Sequence, residues 1–192
     1  MLVTKRDNTT EELTLDKIHK VLDWASEGLD VSVSEVELKS HIQFFDGIKT
    51  ETIHEMLVKT AADLISEEYP DYQYMSARLA VFNLRKKVYN QFEPIPLLSH
   101  IKNMCKDGWY DSEVLSLYTE DEINEIETVI DHWRDVNFAY AAVKQFESKY
   151  LVQDKVTGEI LETPQYAYIM IAMTIFGKNY QGSERIDFIK KL

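Results

Sequence analysis

Hydrophobic positions recur along most of the chain at three- and four-residue intervals, the period of a helix with one buried face. Ile18, Val21, Leu22 and Ala25 stand at i, i+3, i+4 and i+7 and predict a helix from about Asp16, with Gly28 as its stop. A short second helix carries Val36, Leu38 and Ile42. It opens on Ser32 and Glu35, the spacing of a capping box, and closes at Phe44-Phe45-Asp46-Gly47. Thr50 is expected to cap a longer helix whose face holds Ile53, Leu57, Ala61, Leu64 and Ile65. Pro70-Asp71 breaks the chain and starts a fourth helix, with Met75, Leu79, Phe82 and Val81 or Leu84 buried. That helix runs out in Arg85-Lys86-Lys87, where cations suit the helix dipole. The period differs at the N-terminus. Leu2-Val3-Thr4 and Glu11 to Leu15 read as short strands about a turn at Asp7-Asn8-Thr9-Thr10, so a hairpin feeds the first helix.

Gln91-Phe92-Glu93-Pro94-Ile95-Pro96 is an extended connector, because two prolines one residue apart do not continue a helix. A domain boundary is expected there, giving domains 1–93 and 94–192. It rests on the prolines alone. Residues 1–93 carry 11 basic and 17 acidic side chains, and the remainder carries 10 and 16. The second part is again helical. Thr119 and Glu122 form a capping box ahead of Ile123, Ile126 and Ile130. Phe138, Ala141, Ala142 and Phe146 begin another face. Leu151 to Glu162 reads as a hairpin around Thr157-Gly158, and Thr163-Pro164 as an N-cap with proline at N1. A last helix from Ser183 has Ile186 and Ile189 and little more than two turns. This predicts a chain cut short of its natural end.

With 192 residues, 45% of them hydrophobic, there is material for one real core or two small ones. The net charge of −12 argues against a duplex nucleic-acid binder, which needs a dominant basic surface, but leaves room for a small anionic ligand on a local basic cluster. The single cysteine, Cys105, supports neither an internal disulfide nor a cysteine metal site and fits a reducing cytoplasm. No apolar N-terminal leader is present, and the run near Tyr166–Phe176 is too short to span a bilayer.

Neither GxxxxGK nor GxGxxG occurs. Phosphates would therefore be held by side chains, and Lys5, Arg6, Lys17 and Lys86 are the candidates, against the alternative of solvated surface cations. The five histidines lack metal-ligand spacing, so no intrinsic metal is expected. Thr50 and His54, at i and i+4, either face one ligand near a helix start or form a surface pair. No catalytic constellation emerges from spacing, and no catalytic residue is assigned.

The stretches VTKRD, LDKIHKVLDWASEGL, SHIQFFDGIKT and PDYQYMSARLAVFNLRKKVYNQFEP, followed by AAVKQFESKYLVQ and VTGEI, resemble the N-terminus of the large, catalytic subunit of class Ia ribonucleoside-diphosphate reductase. The resemblance covers essentially the whole chain. It implies a mainly α fold: an ATP-cone, a four-helix bundle with a small β cap, followed by the start of the helical region that precedes the reductase barrel. It implies an overall-activity site for ATP or dATP, with Mg as a companion ion. Contacts would come from Lys5 and Arg6 in the cap, Glu11 and Thr14 near its base, Lys17 on the first helix, Thr50 and His54 on the third, and Lys86 on the fourth. Asn8 stands where the family usually has glycine, and asparagine tolerates the left-handed turn. The implied parent is a thioredoxin-dependent enzyme making deoxyribonucleotides, whose radical and redox cysteines would lie beyond residue 192. The fragment alone would be non-catalytic. Implied partners are the radical-generating small subunit and a second large subunit, with no nucleic acid and no membrane. The competing reading from the residues is a non-catalytic helical interaction module that binds no nucleotide.

Overall fold

The computed structural model describes residues 1–42 and 44–191. In chain order the elements are β1 (Leu2–Thr4), β2 (Thr10–Glu12), α1 (Leu15–Ser26), α2 (Val33–Lys39), β3 (Ile48–Lys49), α3 (Thr50–Asp63), α4 (Tyr72–Tyr89), α5 (Leu97–Lys106), α6 (Glu113–Leu117) and α7 (Glu120–Glu127). A 3-10 segment, His132–Asn137, precedes α8 (Tyr140–Gln145). A π-helical turn, Phe146–Tyr150, follows it, and α9 (Pro164–Gly177) and α10 (Gly182–Lys191) complete the chain.

Two compact units result. The first comprises Met1–Phe92 and Trp133–Lys149, the second Glu93–His132 and Tyr150–Leu192. The chain leaves the first unit at Phe92, next to the expected 93/94 boundary, and residues 133–149 group with the first unit as well. The cause lies in α4. None of Tyr72–Tyr89 is exposed, so the helix needs neighbours on every side. α1 and α3 cover part of it, and α8 packs along the rest. Val136 and Val143 join its core with Phe138 and Tyr140 beside them. The Arg85 guanidinium at the end of α4 lies 3.9 Å from the Asp135 carboxylate, both buried, and stacks over the Phe92 ring at 5.0 Å.

The cap is a three-stranded sheet of order β2-β1-β3. β1 pairs antiparallel with β2, Val3 opposite Glu11, and parallel with β3, Val3 opposite Ile48. The β1–β2 turn closes through Lys5 N–H to the Thr9 carbonyl at 2.8 Å, with Asp7 Oδ1 accepting from Thr9 N–H at 2.9 Å. Asn8 takes the left-handed conformation, φ 64°, which asparagine accommodates. The second strand is shorter than expected, and α1 begins at Leu15. Thr50 is the first residue of α3, not its cap. The ladder holds Ile48 and Lys49 extended up to the helix, so Lys49 takes the cap position. At Ser32 only half of the capping box forms: Ser32 Oγ accepts from Glu35 N–H, while the Glu35 carboxylate accepts from Lys39 and from the Tyr72 hydroxyl. Phe44 and Phe45 lie after the helix, and Phe45 is 61% exposed.

In the second unit Leu97, Ile101, Ile123, Ile126, Tyr166 and Met173 are fully buried. The Thr119–Glu122 capping box forms in both directions, at 3.2 and 2.8 Å. Glu122 also accepts from Arg185 at 2.7 Å, which ties α10 to α7. Pro164 sits at the N-terminus of α9 as expected. The 151–162 hairpin forms as one antiparallel bridge, Gln153 to Ile160, flanked by backbone bonds from Asp154 N–H to the Glu159 carbonyl and from Leu161 N–H to the Val152 carbonyl, both 2.9 Å. Among the described residues no helix is long and apolar enough to cross a membrane, and no cluster of three or more His, Cys, Asp or Glu is arranged to hold a metal.

Two outcomes follow from the buried charges. Asp135→Ala should leave Arg85 buried without its carboxylate and cost about 3–5 kcal/mol in urea unfolding. A loss no larger than that of a surface substitution would show the pair to be dispensable. The second concerns His100, buried in the second unit, whose pKa desolvation lowers from 6.5 to about 4. The unfolded chain binds this proton throughout that window and the folded one does not. Stability is therefore full above about pH 6.5 and falls as the pH drops towards 4. His100→Gln should recover about 3 kcal/mol of that loss at pH 4. An unchanged pH slope in urea titrations would rule this out.

Candidate functional site: a cation-lined cavity under the cap

The cap closes over one end of the first unit and leaves a cavity of about 280 Å³. Lys5, Arg6, Glu11, Thr14, Lys17, Thr50, His54 and Lys86 all line it. They come from four elements, β2, α1, α3 and α4, and from the loops after β1 and before α1. Lys5 and Arg6 follow β1, which holds them in place because it is the central strand. Thr14 is the N-cap of α1, but its hydroxyl makes no cap bond and contacts the Glu12 carbonyl at 3.4 Å. Thr50 opens α3, and His54 lies one turn further on. Lys86 is near the end of α4, one turn after Phe82.

The charges are unevenly neutralised. Glu11 accepts from Lys17 at 2.9 Å and lies 3.4 Å from Lys5. Hydrogen bonding from Lys17 holds the Glu11 carboxylate below its usual range. Arg6 and Lys86 have no ion-pair partner within 4 Å among the described residues. Burial lowers the pKa of both, and for Lys86 the neighbouring positive charges of Arg6 and Lys5 push in the same direction. Glu51 and Glu55 favour the charged form of Arg6 from a distance, yet both carboxylates are engaged by Lys87, at 3.1 and 2.9 Å. The Arg6 Nε–H is buried without an acceptor. Clustered cations that repel one another and a buried unpaired donor are what an incoming polyanion relieves.

The apolar wall is built differently and lies next to the cations, with the Lys86 ammonium 5.9 Å from the Phe82 ring centroid. His54 stacks on Phe82, with ring centroids 5.0 Å apart and planes 11° off parallel. Its Nε2 lies 2.8 Å from the Leu79 carbonyl, which can only accept, so Nε2 carries the proton and Nδ1 is left as an acceptor. Desolvation lowers its pKa to about 4, so the ring is neutral at pH 7. His54 therefore offers a stacking face and a lone pair, not a charge. Ile18, Val21, Ile53 and Leu57 complete this wall.

Sequence reasoning passed over two residues here. Phe82 was placed in the core, although its position one turn before Lys86 puts both on the cavity side of α4. Asn83, buried, accepts from Arg6 Nη2. Its signal was a lone amide in the run AVFNLRKK.

Residues 1–87 match the ATP cone domain, and residues 136–192 match the ribonucleotide reductase all-alpha domain. Over all 192 residues the chain is 58% identical to ribonucleoside-diphosphate reductase 1 subunit alpha of Escherichia coli (strain K12). It is 54% identical to the corresponding alpha subunit of Haemophilus influenzae. Across 90% of the chain it is 43% identical to the alpha subunit of Enterobacteria phage T4. It spans about a quarter of the length of these relatives. An ATP cone and a reductase all-alpha domain in one chain, with this similarity along its whole length, mean that it belongs to the ribonucleoside-diphosphate reductase alpha-subunit family and corresponds to the N-terminal region of that subunit.

Proposed function

We propose that the cone binds ATP or dATP as an allosteric effector and sets the overall activity of a ribonucleoside-diphosphate reductase of which this chain is the non-catalytic N-terminal part. The observation that carries the reading is the convergence of Lys5, Arg6 and Lys86 on one cavity, with Arg6 and Lys86 lacking a carboxylate. The phosphates lie against these cations and Lys17, while Thr50 donates its hydroxyl. The adenosine lies against the apolar wall of Ile18, Val21, Ile53 and Leu57, where neutral His54 accepts from a sugar hydroxyl or an amine. Glu11 and Thr14 hydrogen-bond the base or ribose, once Glu11 has released Lys5 and Lys17. Mg arrives with the triphosphate. In the longer protein the reaction converts ribonucleoside diphosphates to deoxyribonucleotides, in partnership with a radical-generating small subunit and a second large subunit. The cytoplasm is its compartment. The cone domain occupies residues 1–93, with residues 133–149 completing its core.

Calorimetric titration of ATP and of dATP into the folded protein should give micromolar affinity, roughly −8 kcal/mol. Failure of both to bind would overturn the reading and favour a helical interaction module. The structure also ranks the lysines. Lys86→Ala removes a half-buried cation with no carboxylate and should weaken ATP and dATP equally, by about 1.5–3 kcal/mol. Lys17→Ala removes an exposed cation already shared with Glu11 and should cost less. A loss confined to one nucleotide, or a larger loss at Lys17, would contradict the phosphate assignment.

A further inference from the structure

We propose that Asn83 is a positioning residue for the effector's phosphates, acting through Arg6; the inference rests on the cavity being a triphosphate site. Asn83 is buried on α4, 77 residues from Arg6 in sequence, and its Oδ1 accepts from Arg6 Nη2. It does not line the cavity, so it touches no ligand itself. Its contribution is to the guanidinium. An arginine side chain has rotamer freedom to lose on binding, and one anchored N–H fixes the plane of the fork before the ligand arrives. The remaining donors, including the unpartnered Nε–H, are left for an anion.

The chemical identity of residue 83 matters as much as its place. A carboxylate there would anchor Arg6 more firmly and also cancel its charge. The amide oxygen anchors without neutralising. The nearby carboxylates are kept from doing so by the same logic, since Glu51 and Glu55 are bound to Lys87. The cation closest to the cap turn is thus oriented and still fully charged towards a ligand.

A double-mutant cycle separates this role from a purely structural one. The ligands are ATP and inorganic tripolyphosphate, measured by calorimetry on wild type, Asn83→Leu, Arg6→Met and the double variant. Asn83→Leu should weaken both ligands about tenfold in the wild-type background and less than about twofold when Arg6 is already methionine. Asn83→Asp should keep the folded structure and the anchor and still weaken both ligands. If Asn83→Leu does not fold, Asn83→Ser takes its place in the cycle. Equal losses in the two backgrounds, unchanged ATP affinity, or tighter binding by Asn83→Asp would overturn the proposal while wild-type binding keeps the effector site intact. Absence of ATP binding by the wild-type protein overturns both.

Discussion

A helix with no solvent face has to be enclosed, and α4 imposes that requirement on the first unit. Its core positions run right round the axis, from Met75 and Ala77 through Leu79 and Val81 to Leu84 and Arg85. Each large apolar side chain contributes about 1.5–3 kcal/mol only if something covers it. α1 and α3 cover two sides. The third is closed by residues 133–149, which leave the chain's second unit to do so. Arg85 gives that return its address: a buried guanidinium needs a carboxylate, and Asp135 lies on the returning segment. The same helix carries Phe82 and Lys86 to the cavity and Asn83 to Arg6. Enclosure of α4 and construction of the site are one event.

The site also explains how an acidic chain accommodates an anion. A net charge of −12 says nothing about a volume a few ångströms across. Here Glu11 is assigned to Lys5 and Lys17, and Glu51 and Glu55 to Lys87, while of the two other carboxylates lining the cavity, Asp7 and Glu12, Asp7 accepts from Thr9. What remains is a surplus of positive charge on Arg6 and Lys86, partly desolvated and mutually repelling. Where carboxylates are bound decides the local potential more than how many there are.

Much of this was legible in the residues. The Thr119–Glu122 box and proline at the start of α9 are local rules, satisfied within four residues, and both hold. The cations were legible as a type, since no glycine-rich loop was available for phosphates. Their convergence came from the family resemblance, because cations just after β1, on α1 and on α4 carry no mark of sharing a cavity. What stayed hidden was non-local. The buried faces of α4 read as one because Arg85, Asn83 and Ser76 are polar by type. The expected hairpin at 151–162 forms with one bridge and two cross-strand backbone bonds, Asp154 N–H to Glu159 and Leu161 N–H to Val152, and side chains hold its turn and one end. Asp154 accepts from Val156 and Thr157, and Glu162 from Val152. Glu35 looked like the second half of a cap, but Lys39 and Tyr72 claim its carboxylate.

The strand order has a consequence for how the molecule is made. β1 comes first of the three strands in chain order, yet it is the middle of the sheet, and its other neighbour, β3, is some 45 residues away. An isolated two-stranded hairpin is marginal in water. The cap therefore waits for Asp46, whose carboxylate accepts from Leu2 N–H at 2.7 Å, and for Ile48 to arrive alongside Val3. Closing that loop carries an entropic cost before the ladder contributes anything. The first of the three strands in chain order is fixed only when the last has arrived. An extension fused to Met1 would sit beside the incoming edge and interfere with assembly of the cap before it touched the finished cavity.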